Sequence, residues 1–250
     1  MNFTTKWDRK DIINSIPEFS ELYARRPIDN NEGGMKSAHM LASWYIVKTM
    51  KPKYIIESGV WKGLGTWLFE NASPTTKIVS IDPAPQFREY TSPNAHYTTT
   101  DFLDADWSAF PKDETLLFFD DHQNFLTRLQ KAHEIGFKYV IDEDNYPSNQ
   151  GDCYSPKKVL ANQRYVMDSQ GNRSWHDILQ TDLEFLQNNV SVYQEMPPIY
   201  KTETTRWGDK WTNENYPTPK PLLDIKDSAY PLFAKEAKDY TWLCYIELKQ

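Results

Sequence analysis

The stretch that most constrains this chain is Tyr54 to Thr66, Tyr-Ile-Ile-Glu-Ser-Gly-Val-Trp-Lys-Gly-Leu-Gly-Thr. The apolar run Tyr54 to Ile56 reads as a buried strand, and it ends in an acid, Glu57. Gly59, Gly63 and Gly65 follow, and then a helix-like apolar run, Trp67-Leu68-Phe69. The chain has nine glycines, and three of them fall within these seven positions. Glycine permits a tight turn and a close backbone approach to a ligand. A strand, a glycine-rich turn and a helix form the ligand site at the carboxyl end of the first strand in parallel α/β sheets.

The spacing narrows the ligand. A dinucleotide loop reads G-x-G-x-x-G, whereas this one reads Glu-x-Gly-x-x-x-Gly-x-Gly-Thr. A P-loop needs a lysine after its last glycine, and Thr66 stands there instead. An acid at the strand end repels a phosphate and attracts a cation or an ammonium group.

Further strands are expected at Lys77–Ile81, Ala95–Thr99, Thr115–Phe119 and Phe137–Ile141, with helices at Ala38–Met50 and from Phe125 through Ala132. Apolar strands alternating with helical stretches imply a parallel sheet covered on both faces. Residues 1–33 read as a short helix and loops, broken by Pro17 and Pro27. Trp175–Leu186 reads as a helix, Val190–Tyr193 as a sixth strand and Tyr240–Leu248 as a seventh. The expectation is a Rossmann-like, doubly wound α/β fold: a mostly parallel seven-stranded sheet, helices on both faces, and an antiparallel last strand. Residues 1–250 read as one domain, with a lid-like insertion at about 197–238 carrying Trp207, Trp211 and Tyr216; long insertions in compact domains are usually functional.

Each of the first five strands ends in acids: Glu57, Asp82, Asp101, Asp120-Asp121-His122 and Asp142-Glu143-Asp144-Asn145. A single such acid is usually a helix cap. Five of them converge on the crevice where α/β sheets bind ligands. Asp82, 25 residues after Glu57, is suited to accept hydrogen bonds from ribose hydroxyls; the alternative is a cap on the Asp-Pro turn. The acids after the fourth and fifth strands repel one another unless a cation neutralises them. Oxygen-rich sets of this kind suit Mg²⁺, Ca²⁺ or Mn²⁺.

The glycine loop resembles the first motif of the class I S-adenosylmethionine-dependent methyltransferases, whose ligand carries an amino group and a sulfonium. The resemblance covers about residues 33–150. It implies S-adenosylmethionine bound by Glu57, Gly59, Gly63, Gly65, Thr66, Asp82, Thr100, Asp101 and Asp120. The run from Leu116 to Asn145 is similar to metal-dependent O-methyltransferases of the catechol type, which carry Asp-His and Asp-Asn here, matching Asp121-His122 and Asp144-Asn145. It also resembles the macrocin-type and cephalosporin-hydroxylase-like families, which imply Asp121, Glu143 and Asp144. Both comparisons select Asp121 and Asp144 and differ on Glu143 or Asn145 as the third ligand, with Mg²⁺ as the expected ion. The catechol-type lysine is replaced by Asn124. With Asp121 as metal ligand, His122 is the candidate general base, since its ordinary pKa near ~6.5 suits the task; capping a helix or stacking on adenine are equal alternatives.

These readings imply a metal-assisted O-methyltransferase acting on a hydroxylated small molecule, a sugar, phenol or natural product. The rivals are a hydroxylase-like enzyme of the same fold and a non-catalytic module that binds a nucleoside or a metal. A net charge of −7 opposes a broad nucleic-acid-binding face. The start of the sequence lacks a signal-peptide core, and no apolar run approaches the ~20 residues that span a bilayer. The two cysteines, Cys153 and Cys244, form no C-x-x-C pair, so a soluble, reducing, cytoplasmic setting is expected. The exposed edge beside the seventh strand offers a place for two copies to pair as a homo-oligomer.

Overall fold

The computed structural model describes residues 3–163, 165–167, 172–175, 179–227 and 229–249. The helices are α1 Arg9–Tyr23, α2 Ser37–Met50, α3 Leu64–Ala72, α4 Phe125–Ile135, α5 Pro156–Leu160, α6 Leu179–Asn189 and α7 Pro231–Glu236. The strands are β1 Tyr54–Ser58, β2 Lys77–Ile81, β3 Ala95–Thr98, β4 Thr115–Phe119, β5 Tyr139–Asp142, β6 Tyr165–Met167, β7 Arg173–Trp175, β8 Val190–Glu195 and β9 Cys244–Leu248. The main sheet has seven strands in the order β3-β2-β1-β4-β5-β9-β8. Pairing is parallel from β3 to β5, and β9 is antiparallel to both of its neighbours. Four central apolar runs explain this core: all five residues of β4 are buried, which suits a strand covered on both faces. One apolar cluster joins α1, α2 and α3 to one face of the sheet. A second joins α4, α5 and α6 to the other.

Four differences from the sequence reading have clear causes. Residues 9–23 form one long helix, because Asp8 caps it and Ile12, Ile16 and Phe19 make a buried stripe at helical spacing. Pro17 lies on the exposed face, where water can satisfy the lost backbone bond. Trp175 ends a short hairpin, β6–β7, and the following helix begins only at Leu179; residues 176–178 of the expected helix lie outside the described residues. The strand expected as the seventh, β9, sits between β5 and β8, so it has no free edge, and Thr4 bridges the outer strand β8 at Val192. The insertion at 197–238 is no structureless flap, since Trp211, Tyr216, Leu222 and Phe233 are buried in the core. Among the described residues no helix is long and apolar enough to cross a membrane.

The register aligns the chemistry. Ser58 pairs with Phe119, and Phe119 with Asp142. The ladder runs on past the strands: Asp120 N donates to Ser58 O at 2.8 Å, and Glu143 N to Phe119 O at 2.9 Å. The acids at the ends of β4 and β5 are therefore held beside the end of β1, at the carboxyl edge of the sheet.

Candidate active site

The loop after β1 depends on Gly59. Its φ is +94°, and a Cβ there would lie 1.8 Å from the backbone oxygen of Asp120, so only glycine permits this approach. Asp82, at the end of β2, braces the loop. Its Oδ2 accepts the amides of Val60 at 3.0 Å and Trp61 at 2.8 Å, and its Oδ1 accepts Ala84 N at 2.7 Å. A cavity of about 420 Å³ opens here, lined in part by Ser58, Gly59, Asp82, Thr99, Asp101 and Asp120. Gly59, Asp82, Asp101 and Asp120 of the expected cofactor set thus face this cavity.

The rest of that set lies elsewhere. Glu57 is fully buried beneath the loop, where its Oε2 accepts Thr66 Oγ1 at 2.5 Å and Ser80 Oγ at 2.7 Å. Its Oε1 has no hydrogen-bond partner. Burial pushes this carboxyl up to about 7, because no cation offsets the loss of water. Gly63 caps α3, and Gly65 and Thr66 belong to its first turn. Thr100 is exposed and donates its amide to Thr98 Oγ1 at 3.1 Å; its neighbour Thr99 lines the cavity instead.

The expected metal ligands divide into different environments. Asp121 is neutralised inside the protein: Oδ2 accepts Ser58 Oγ at 2.7 Å and Arg128 Nε at 3.1 Å. Arg128 also makes a two-pronged bridge to Asp101, at 2.5 and 2.6 Å, and holds that carboxyl below its ordinary range. Asn145 is fully buried and structural, for its amide donates to Tyr193 Oη and Trp242 O, both at 2.9 Å, and its Oδ1 accepts Lys157 N at 2.9 Å. Glu143 is bonded to His39 Nδ1. His39 Nε2 accepts the Thr241 amide at 2.9 Å, so Nδ1 carries the proton that it donates. Burial raises Glu143, but His39, together with Asp144 and His122, more than offsets it, and the net effect is a lowered carboxyl.

What converges instead is Asp120, His122 and Asp144, each offering a ligand atom within 4.8 Å of the others. Asp120 is raised well above the carboxylate range by burial, and the charges acting on it most are Glu143, Asp144, Asp121 and Glu57, all carboxylates. Burial and Glu143 push Asp144 up to about 7. His122 is pushed up to about 9, chiefly by its hydrogen bond to Asp152 and then by the charge of Asp144. It is therefore an imidazolium at neutral pH and not the free base that the sequence suggests. Its φ of +52° is a left-handed backbone that a non-glycine residue holds only at a cost of about 1 kcal/mol or more.

A second cavity of about 330 Å³ adjoins the first, and Gly33, Gly34, Asp120 and His122 line both. The segment carrying Gly33 and Gly34 is tied to the glycine loop, since Trp61 Nε1 donates to Glu32 O at 2.9 Å and Lys62 Nζ to Asn30 O at 3.0 Å. Lys36, Arg206 and Lys238 also line the second cavity, so the 197–238 insertion contributes to its wall. Arg128 and His39 belong to no motif, yet both govern the site. Their signal in the sequence is a charged or polar residue on an apolar helix face: Arg128 sits among Phe125, Leu129 and Ala132, and His39 among Met40, Leu41 and Ala42.

No protein-family model and no curated protein sequence matches this chain. Solved structures do. The O-methyltransferase TomG from Streptomyces achromogenes, involved in tomaymycin synthesis and solved with SAM, superposes with a TM-score of 0.50 at 11% identity, over 98% of this chain and 91% of that one. The O-methyltransferase from Bacillus cereus in complex with SAH gives 0.49 at 10% identity, over 98% and 92%. The SAH-bound methyltransferase PaMTH1 from Podospora anserina gives 0.41 at 11%, over 74% and 77%. At such identities the likeness is one of fold, a Rossmann-like α/β sheet shared with TomG.

Proposed function

We propose that this chain is an S-adenosylmethionine-dependent O-methyltransferase that acts on a hydroxyl of a small molecule with the help of a divalent cation. The observation that carries this reading is the pair of adjoining cavities that meet at Asp120 and His122. The fold shared with TomG and the glycine loop at the end of β1 support it.

In this reading the 420 Å³ cavity, floored by Gly59 and edged by Asp82, holds S-adenosylmethionine, which supplies an electrophilic methyl group. The 330 Å³ cavity takes the acceptor. Asp120, Asp144 and His122 hold the cation, whose chemistry is to lower the pKa of the acceptor hydroxyl. A carboxylate crowded by other carboxylates, as Asp120 is, fits that role. Gly33 and Gly34 line both cavities and keep donor and acceptor close, and this proximity lowers the barrier. Arg206 and Lys238 of the 197–238 insertion wall the acceptor cavity and help to exclude water. His122 is engaged as a ligand of that cation, so water takes the hydroxyl proton. The ion pair of Asp121 with Arg128 favours a supporting role for Asp121, as positioner of the β4 end. A cytoplasmic setting belongs to the same proposal, because both cysteines are free and buried, as a reducing compartment permits.

Calorimetric titration with S-adenosylmethionine, with and without a divalent cation, tests this on wild type and on a variant with Asp120→Asn and Asp144→Asn. The expected result is donor binding in both proteins and cation binding in the wild type alone, followed by methyl transfer to hydroxylated acceptors. Absence of donor binding under every condition would sink the reading.

A further inference from the structure

Resting on the cation reading above, the geometry points to a four-donor site, His122 Nδ1, Asp144 Oδ2, Cys153 Sγ and Asp152 Oδ1, that takes a transition ion of the zinc class in place of Mg²⁺. Two of these donors, His122 and Asp144, belong to the converging set already described. The other two come from the loop after β5, beyond any motif assigned above.

The distances carry the argument. Cys153 Sγ lies 3.9 Å from His122 Nδ1, 3.6 Å from Asp144 Oδ2 and 3.5 Å from Asp152 Oδ1. His122 Nδ1 lies 3.8 Å from Asp144 Oδ2 and 3.1 Å from Asp152 Oδ1. Five of the six edges of a tetrahedron therefore fall between 3.1 and 3.9 Å. Ligand bonds of about 2.0 Å to nitrogen and oxygen and about 2.3 Å to sulfur put tetrahedral donors about 3.3–3.6 Å apart. His122, Asp152 and Cys153 offer ligand atoms within 4.8 Å of one another, and Asp144 Oδ2 lies 3.6 Å from Cys153 Sγ and 3.8 Å from His122 Nδ1. Mg²⁺ demands octahedral oxygen ligands and keeps its waters; imidazole and thiolate suit zinc, iron and cobalt.

The loop is built to hold these donors. Lys158 is fully buried and donates to Gly151 O at 2.9 Å and Cys153 O at 2.6 Å. Gly151 has φ +66°, and a Cβ there would lie 2.2 Å from the Tyr146 ring, so the turn tolerates no side chain. Ser155 Oγ donates to Tyr146 O at 2.7 Å. Cys153 and Asp144 are buried, whereas His122 and Asp152 are half-exposed, at 50% and 53%. An ion can enter from that side, and loading it releases the Cys153 thiol proton and the His122 Nδ1 proton to solvent.

Cobalt titration of the full chain, stripped with a chelator, tests the assignment. Expected are visible ligand-field bands of a four-coordinate ion together with a near-ultraviolet thiolate-to-cobalt charge-transfer band, both persisting in excess Mg²⁺. Cys153→Ser should abolish the charge-transfer band and weaken Zn²⁺ binding more than about 100-fold, with the far-ultraviolet circular dichroism unchanged. Asp152→Asn should keep the charge-transfer band and weaken Zn²⁺ about 10-fold or more. Cobalt that binds with ligand-field bands but without charge transfer, or that Mg²⁺ displaces, overturns this inference and leaves the proposed cation standing. Failure of Co²⁺, Zn²⁺ and Mg²⁺ alike to bind overturns the inference and the cation proposal together.

Discussion

Asp120 and Asp121 are adjacent in the chain and opposite in their surroundings. Asp121 turns toward Arg128 and Ser58, where a guanidinium and a hydroxyl neutralise it. Asp120 turns toward Glu143 and Asp144, where the neighbouring charges are further carboxylates. In the first cluster the protein itself brings the cation, and Asp101, Asp121 and Arg128 together form part of the wall of the 420 Å³ cavity. The second holds negative charge that burial makes costly and that an external cation can offset. Density of acids at a sheet edge therefore does not define a metal site; the decisive question is whether an arginine already sits among them. Glu57 is an intermediate case, with two hydroxyl donors and no cation.

The contrast can be broken most forcefully at Arg128. Arg128→Met leaves Asp101 and Asp121 without their partner, and loss of one member of a buried pair costs about 3–5 kcal/mol. Urea denaturation should show this, with the loss unchanged by added divalent ions; rescue by such an ion would mean that Asp121 is a ligand after all.

Glu57 sharpens the comparison through pH. Its folded value of about 7 lies above the ordinary 4.5, so the folded state binds the proton more tightly. Its contribution to stability is therefore full below about pH 4.5 and is lost as pH rises through 7. Glu57→Gln should stabilise the protein at pH 8 by up to about 3 kcal/mol and lose that advantage by pH 5. Equal melting temperatures of the two proteins at pH 8 would contradict the uncompensated burial.

The second cluster responds to an ion. At 100 times its Kd, a divalent cation should stabilise the wild type by about 2.7 kcal/mol, seen as a rise in Tm. The same ion should leave the variant with Asp120→Asn and Asp144→Asn unmoved. Smallest of all is the ion-free effect of Asp120→Asn alone, expected within about 1 kcal/mol, since burial and the neighbouring carboxylates already disfavour its charge. A loss as large as that of Arg128→Met would show that Asp120 has a partner like that of Asp121.

Much of this molecule was legible before folding was considered. The apolar runs at Tyr54, Lys77 and Thr115 became β1, β2 and β4 because period and composition act locally. The Gly59 turn was readable for the same reason, as its backbone conformation restricts the residue type on the spot. The acids at the strand ends were visible as well, and with them the edge at which a ligand site would form.

Tertiary structure alone decided which acids face one another. Asp101 and Arg128 are 27 residues apart, and His39 and Glu143 are 104 apart; no local pattern couples them. The direction of Asp120 against Asp121 follows from the β1–β4 register and the close approach of Gly59. His122 meets Asp152 and Cys153 only because Lys158 pins their loop beside the β4 end. Charge states followed the same division. The sequence supplied carboxylates and an imidazole with ordinary pKa values, and burial together with neighbours brought from distant segments moved Glu57, Asp144 and His122 away from them.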